Sequence, residues 1–224
     1  IFTIHGFCQR VLQELALDSA SPLDVELTSD ASDVLEDLAV DHFLRHATHA
    51  SADCVAALRA HGLSVPRMMR LGALSLGRPG LQWAKPSPAV DPSASLRRFE
   101  GARWKLRMAW PKAGPALRQW LLEESCPVSK TKLRLAVREE LLARLEEELA
   151  QEQGSHARWS EDFSRLGAEG LSAALNKGGA MPALLAASLL DEIAGAHELA
   201  SSELRGWVAH FAEGFFEEAR SRLP

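Results

Sequence analysis

Apolar residues return every three or four positions along almost the whole chain, and nowhere do they alternate convincingly with period two. The first spacing marks one face of an α-helix and the second a half-buried strand. The expected fold is therefore all-α, an irregular multi-helix domain. From His5 the positions Phe7, Val11, Leu12 and Leu15 form one stripe, which stops near Asp18 ahead of Pro22. Ser29 and Asp30 supply N-cap chemistry for a helix through Val34, Leu35, Leu38 and Phe43 to about His46. A short helix from Ser51 ends at Gly62, and another opens at Ser64 with Pro66 in its first turn and ends near Gly77.

Residues 77–95 hold four prolines and two glycines with little apolar pattern, which reads as a loop or hinge. It separates residues 1–76 from the helices of 96–224. The first of these is predicted from about Ser95 to Trp110, stopped by Pro111, with a shorter one from Pro115 to about Glu124. A charged helix is predicted from Ser129, where Leu135, Leu142 and Leu149 stand seven apart beside Leu141 and Leu145. That is too short a heptad run to establish a coiled-coil arm. Further helices are predicted around Trp159 to Leu166, from Pro182 to Ile193, and from about Glu198 to Arg220.

With 224 residues, 46% of them hydrophobic, the chain has enough apolar surface for a real core, which excludes wholesale disorder and a disulfide-stapled miniprotein. Cys8, Cys54 and Cys126 are odd in number and far apart, which excludes paired-cysteine zinc or redox motifs and points to a reducing, cytoplasmic setting. No apolar run approaches the roughly 20 residues that cross a bilayer, so no membrane association is expected. Because the chain begins at Ile1, it is expected to be a piece of a longer protein.

The net charge of -5 conceals a strong partition. Residues 1–64 carry 3 Lys/Arg against 10 Asp/Glu, residues 65–122 carry 11 against 2, and residues 123–224 carry 11 against 18. A basic middle between acidic ends suits a chain that meets a polyanion on one face. The positive charge is densest from Arg97 to Arg118, where Arg97, Arg98, Arg103, Lys105, Arg107, Lys112 and Arg118 face Glu100 alone, with Phe99, Trp104, Trp110 and Trp120 interleaved. Cations bind phosphates and release counterions, and exposed tryptophans stack on bases. Tryptophans more often anchor packing, so the contact is assigned to the cations.

The opening run Ile1-Phe2-Thr3-Ile4-His5-Gly6-Phe7-Cys8-Gln9-Arg10-Val11-Leu12 resembles a motif of the UvrD-like superfamily of DNA helicases. It is most similar to the RecB type, the beta chain of exodeoxyribonuclease V, and less so to the AddA type. In that family a Thr-x-His sequence ends a strand of the first motor lobe and touches the single-stranded DNA backbone. The chain then enters a helical insertion domain. The resemblance implies that Thr3 and His5 hold the contact positions and that the rest is the insertion domain, lying along the duplex ahead of the fork. It further implies a bacterial parent that is an ATP- and magnesium-dependent helicase and exonuclease for double-strand-break repair, working with RecC-like and RecD-like subunits. The chemistry is coherent, since threonine and histidine both donate to phosphate oxygens.

Motor chemistry itself requires a glycine-rich loop ending in Gly-Lys-Ser/Thr and a magnesium-holding carboxylate pair, and neither is present. No catalytic residue and no cofactor is therefore expected within this chain. Leu189-Leu190-Asp191-Glu192-Ile193 imitates a Walker B strand but lies in a helical pattern followed by Ala194 and Gly195. His42, His46 and His49, spaced by four and three, fall near one helix face; surface histidines near a helix end are expected rather than a zinc site. Cys8 near His5 is read as a core cysteine, not a nucleophile. The competing function is a protein-docking domain, in which the acidic and heptad-bearing helices bind a partner subunit and the basic patch is incidental.

Overall fold

The computed structural model describes residues 32–76, 90–151 and 156–222, and among them it is all-α, with no named strand. The helices are α1 (Ser32–Ala47), α2 (Ala52–Ala60), α3 (Val65–Leu76), α4 (Ser93–Leu122), α5 (Leu135–Ala150), α6 (Ala168–Ala174) and α7 (Leu185–Arg222). Two 3-10 segments, His156–Arg158 and Glu161–Leu166, lie between α5 and α6.

The apolar stripes dictate where each helix goes. In α1 the buried positions are Leu35, Leu38, Ala39 and His42, one continuous face. Ser51 caps α2 by accepting from the Cys54 amide at 3.2 Å, and Gly62, at φ 67, takes the left-handed conformation that closes the turn into α3. Gly72 lets α3 approach closely, since a Cβ there would stand 3.0 Å from Leu35 Cδ2 and 3.2 Å from the Phe215 ring. Helices α1, α2 and α3 bury Leu35, Leu38, Leu58 and Met68 against Phe211, Phe215 and Phe216 from the C-terminal half of α7. The larger core joins α4, α5, the 3-10 segments, α6 and the N-terminal half of α7 around Phe99, Leu106, Leu142, Leu166 and Leu190. Cys54, Leu96, Ala200 and Leu204 form a smaller cluster. Helix α7, 38 residues and about 57 Å long, is thus common to both cores.

The helix expected around Trp159 to Leu166 is instead a 3-10 segment over Glu161–Leu166, α6 falls where no helix is expected, and three helix boundaries differ from those the sequence suggests. Helix α4 does not stop at Pro111 but runs 30 residues with Pro111 and Pro115 inside it. An internal proline costs a helix about 3 kcal/mol. Both prolines are exposed, so the bonds they remove lie toward water, while Leu106, Gly114, Leu117 and Leu121 keep the opposite face buried through the same turns. The Trp110 ring lies over Gly114, within 2.6 Å of where a Cβ would stand, and covers the helix there.

Helix α5 begins at Leu135 and not at Ser129. The preceding residues are drawn into a different pairing: Val128 bridges Leu175, the Ser129 amide donates to Ala174 O at 2.8 Å, and the Asn176 amide donates to Pro127 O at 2.9 Å. Finally, the two terminal helices are one. Gly195 is exposed and costs only about 1 kcal/mol in a helix interior, whereas Ile193, Ala196 and Ala200 continue the buried stripe past it. The leucines of α5 also declare their role, because Leu141, Leu142, Leu145 and Leu149 are buried in the protein's own core and only Leu135 of that stripe is exposed.

Candidate nucleic-acid interface

Helix α4 packs chiefly against α7, so its residues divide into a face fixed by that contact and a face turned to solvent. Leu96, Phe99, Ala102, Arg103 and Leu106 form the inner stripe, all buried. On the outer side, at 100° per residue, Arg97, Gly101, Trp104, Met108 and Lys112 fall within an arc of about 80°, flanked by Arg98 and Lys105. From Arg97 to Lys112 this face is about 22 Å long. Its exposed acid is Glu100, at the rim.

The cations singled out by the sequence are not equivalent. Arg97, Arg98 and Lys112 are exposed. Arg97 also faces Asp91, whose carboxyl is held below its usual range first by hydrogen bonds from Ser93 and then by that guanidinium. Lys105 is exposed but paired, its Nζ donating to Glu192 Oε1 at 2.6 Å. Arg107 is half-buried beside Arg103. Arg118 points to the other flank, where Nη1 donates to both carboxylate oxygens of Glu146 at 2.9 and 3.0 Å.

Arg103 does not belong to this face. It is buried, and Nη2 donates to Glu148 O at 2.7 Å and Gln151 O at 3.0 Å, satisfying carbonyls at the C-terminus of α5. Its nearest carboxylate oxygen, Glu148 Oε1, is 3.6 Å away and buried. The guanidinium is a structural clamp between α4 and α5, out of reach of any phosphate.

The aromatics separate as sharply. Phe99 is fully buried, and Trp110 and Trp120 are half-buried against the larger core. Trp104 is 60% exposed and Met108, one turn on, is 55% exposed. Assigning the surface to the cations alone therefore passes over an indole standing among them. Thr3, His5 and Cys8 lie outside the described residues.

Other candidate chemistry resolves into ordinary structure. Asp191 and Glu192 are helical: Asp191 Oδ2 accepts from the Glu169 amide at 3.2 Å, acting as a cap for α6, and Glu192 holds Lys105. Of the three histidines, His42 is not a surface residue. It is buried, its Nε2 bonded to Phe211 O at 2.8 Å, its ring edge-on to Phe211 and Phe215 and 4.5 Å from that of His46. Among the described residues no three ligating side chains converge as a metal site would require. A second buried imidazole, His197, stacks on His156 with centroids 4.3 Å apart, and Phe99 stands 5.6 Å from it.

Burial holds both His42 and His197 below the ordinary histidine value of 6.5, with the neighbouring His46 and His156 acting in the same direction and Glu218 and Glu161 opposing. Above about pH 7 both imidazoles are neutral, folded or unfolded. As the pH falls through 6.5 the unfolded chain takes up protons that the fold resists, so stability declines until the lower folded values are passed. The melting temperature should be flat from pH 8 to 7 and fall between pH 6.5 and 5. His197→Phe should shallow that fall, and an unchanged slope would show that this residue contributes nothing to it.

Against family models and against curated proteins, the chain has no match.

Proposed function

We propose that the exposed cations of α4 bind the sugar-phosphate backbone of DNA. On this reading the chain is a helical insertion domain of a UvrD/RecB-like helicase-nuclease, guiding duplex toward the point of strand separation. The observation that carries the DNA reading is the outer face of α4, where Arg97, Arg98 and Lys112 are exposed on a helix whose own sequence holds one carboxylate, Glu100, with Asp91 and Glu192 of neighbouring segments facing Arg97 and Lys105. The helicase assignment rests on the Thr3–His5 motif within the opening twelve residues. Catalysis, with ATP and magnesium, would belong to the rest of such a protein in the bacterial cytoplasm, and RecC-like and RecD-like subunits would be its partners. No helix among the described residues is long and apolar enough to cross a membrane.

Docking to a partner subunit is the alternative. The leucine stripe of α5 offers it little support, since four of its leucines are already buried within the chain.

Fluorescence anisotropy with a labelled duplex tests the proposal. A dissociation constant on the order of 10⁻⁴ to 10⁻⁶ M near physiological salt is expected, independent of sequence, because phosphate contacts position a protein without reading bases. Absence of binding at low salt, or binding indifferent to salt, would overturn it.

A further inference from the structure

We propose that Trp104 is a stacking platform for an unpaired base, so that the outer face of α4 prefers single-stranded DNA, or the frayed end of a duplex, to closed duplex. This rests on the nucleic-acid reading above and specifies its substrate.

The tryptophans among the described residues have different fates. Trp110 and Trp120 pack against the larger core, Trp159 is buried within it, and Trp207 lies 5.7 Å from Phe211. Trp104 leaves 60% of its surface to water in the middle of the most basic helix. A long helical side chain leans toward the turn preceding it. For Trp104 that turn contains Gly101, and a Cβ built there would meet nothing within 4 Å. Packing gives no reason for a glycine at this position, and a glycine in a helix interior weakens the helix relative to alanine. What the glycine provides is a gap with no side chain. Arg97 and Arg98 stand four and three residues before it, and Trp104 and Lys105 three and four after it. A flat ring resting on this open surface would have the indole one turn along the helix and cations at hand for its own phosphate. Met108 extends the apolar floor by one turn, about 6 Å along the axis.

A closed duplex cannot use such a gap. Its base faces are hidden in the stack, and it presents phosphates and the edges of base pairs. The cations alone would serve a duplex; the exposed indole and the vacant helix surface beside it suit a base whose π-face is free.

The test compares 16-nucleotide oligo-dT with a duplex of equal length, by anisotropy at one low salt concentration, using the 224-residue chain and three variants. The unaltered chain should bind the single strand more tightly. Trp104→Ala should lower the ratio of single-strand to duplex affinity by roughly 5- to 150-fold, the range for loss of one stacked base. Gly101→Leu, which fills the gap, should lower the ratio similarly, and Trp104→Phe should retain most of it. All substitutions are on the solvent face, and unchanged far-ultraviolet circular dichroism confirms folding. A ratio unmoved by Trp104→Ala and Gly101→Leu, with duplex binding intact, would overturn the stacking platform and leave the phosphate-binding reading standing. Failure of the unaltered chain to bind either nucleic acid would overturn both. Binding to poly-L-glutamate in place of DNA, lost in Trp104→Ala, would reassign the face to protein docking and overturn the proposal.

Discussion

Replacing Arg138 with methionine should destabilise the fold by roughly 3–5 kcal/mol, because three carbonyls lose a charged donor at once. Arg138 is 3% exposed and spends its guanidinium on three carbonyls: Nε donates to Leu133 O at 2.8 Å, Nη1 to Leu121 O at 3.0 Å and Nη2 to Val128 O at 2.8 Å. These carbonyls belong to the last turn of α4, the bridge residue paired with Leu175, and the turn entering α5. One side chain therefore ties together the whole connection between α4 and α5. Each hydrogen bond to a charged group contributes about 1.5–3 kcal/mol, and water reaching part of the site reduces the sum. Methionine preserves the apolar stem but leaves the three acceptors without their donor. Lysine presents one ammonium where a planar fork is needed and should recover little. For a chain of this size the loss corresponds to about 6–20 °C in melting temperature. Thermal denaturation followed at 222 nm measures it, and a change under about 2 °C would show the connection to be held by something else.

The second large effect is on binding. Arg97→Glu, Arg98→Glu and Lys112→Glu together should abolish duplex binding, since three sites of phosphate attraction become sites of repulsion. Neutralising three phosphates gives a log-log salt slope of about -2.7, so the unaltered chain should lose roughly 40-fold in affinity between 50 and 200 mM salt. The reversed chain should show no measurable slope. Arg103 must be left out of such a set. A glutamate there would place a second buried carboxylate beside Glu148 and forfeit the clamp on Glu148 O and Gln151 O, so lost binding would merely report unfolding. Arg118→Glu is the matched control, on the flank where Glu146 already occupies the guanidinium. If the triple reversal bound duplex as well as the parent, the outer face of α4 would not be the contact.

The roles of Arg103 and His42 were open to reading from spacing alone. Arg103 falls on the stripe Leu96, Phe99, Ala102, Leu106, and His42 continues Leu35, Leu38, Ala39. Residue type argued for the surface in both cases, while position argued for the interior, and position prevailed because each side chain found a backbone carbonyl to bond through one nitrogen, His42 Nε2 to Phe211 O and Arg103 Nη2 to Glu148 O. Helix type was legible along most of the described chain for the same reason, since a 3.6-residue stripe survives local composition; Glu161–Leu166, which is a 3-10 segment, and Ala168–Ala174, two turns long, are too short to display one. Boundaries were not. Pro111 and Gly195 are local penalties of a few kcal/mol or less, and they yield when a buried face continues on both sides. The pairing of Val128 with Leu175 joins residues 47 positions apart, which no window of sequence displays. The exposure of Trp104, by contrast, was open to reading from spacing, since it lies opposite the stripe Leu96, Phe99, Ala102, Leu106 that meets α7.

The double membership of α7 has a consequence for the order in which the protein can assemble. Leu35, Leu38 and Met68 obtain their packing partners from Phe211, Phe215 and Phe216, and His42 bonds to a carbonyl 169 residues away. At a synthesis rate of about 5–20 residues per second, α1 to α3 would leave the ribosome roughly 10 to 30 s before the residues that complete their core. The α4–α7 core can close first, on nearer contacts such as Phe99 with Trp159. Helices α1 to α3 are then the last part to mature, with Leu35, Leu38 and Met68 uncovered during that interval.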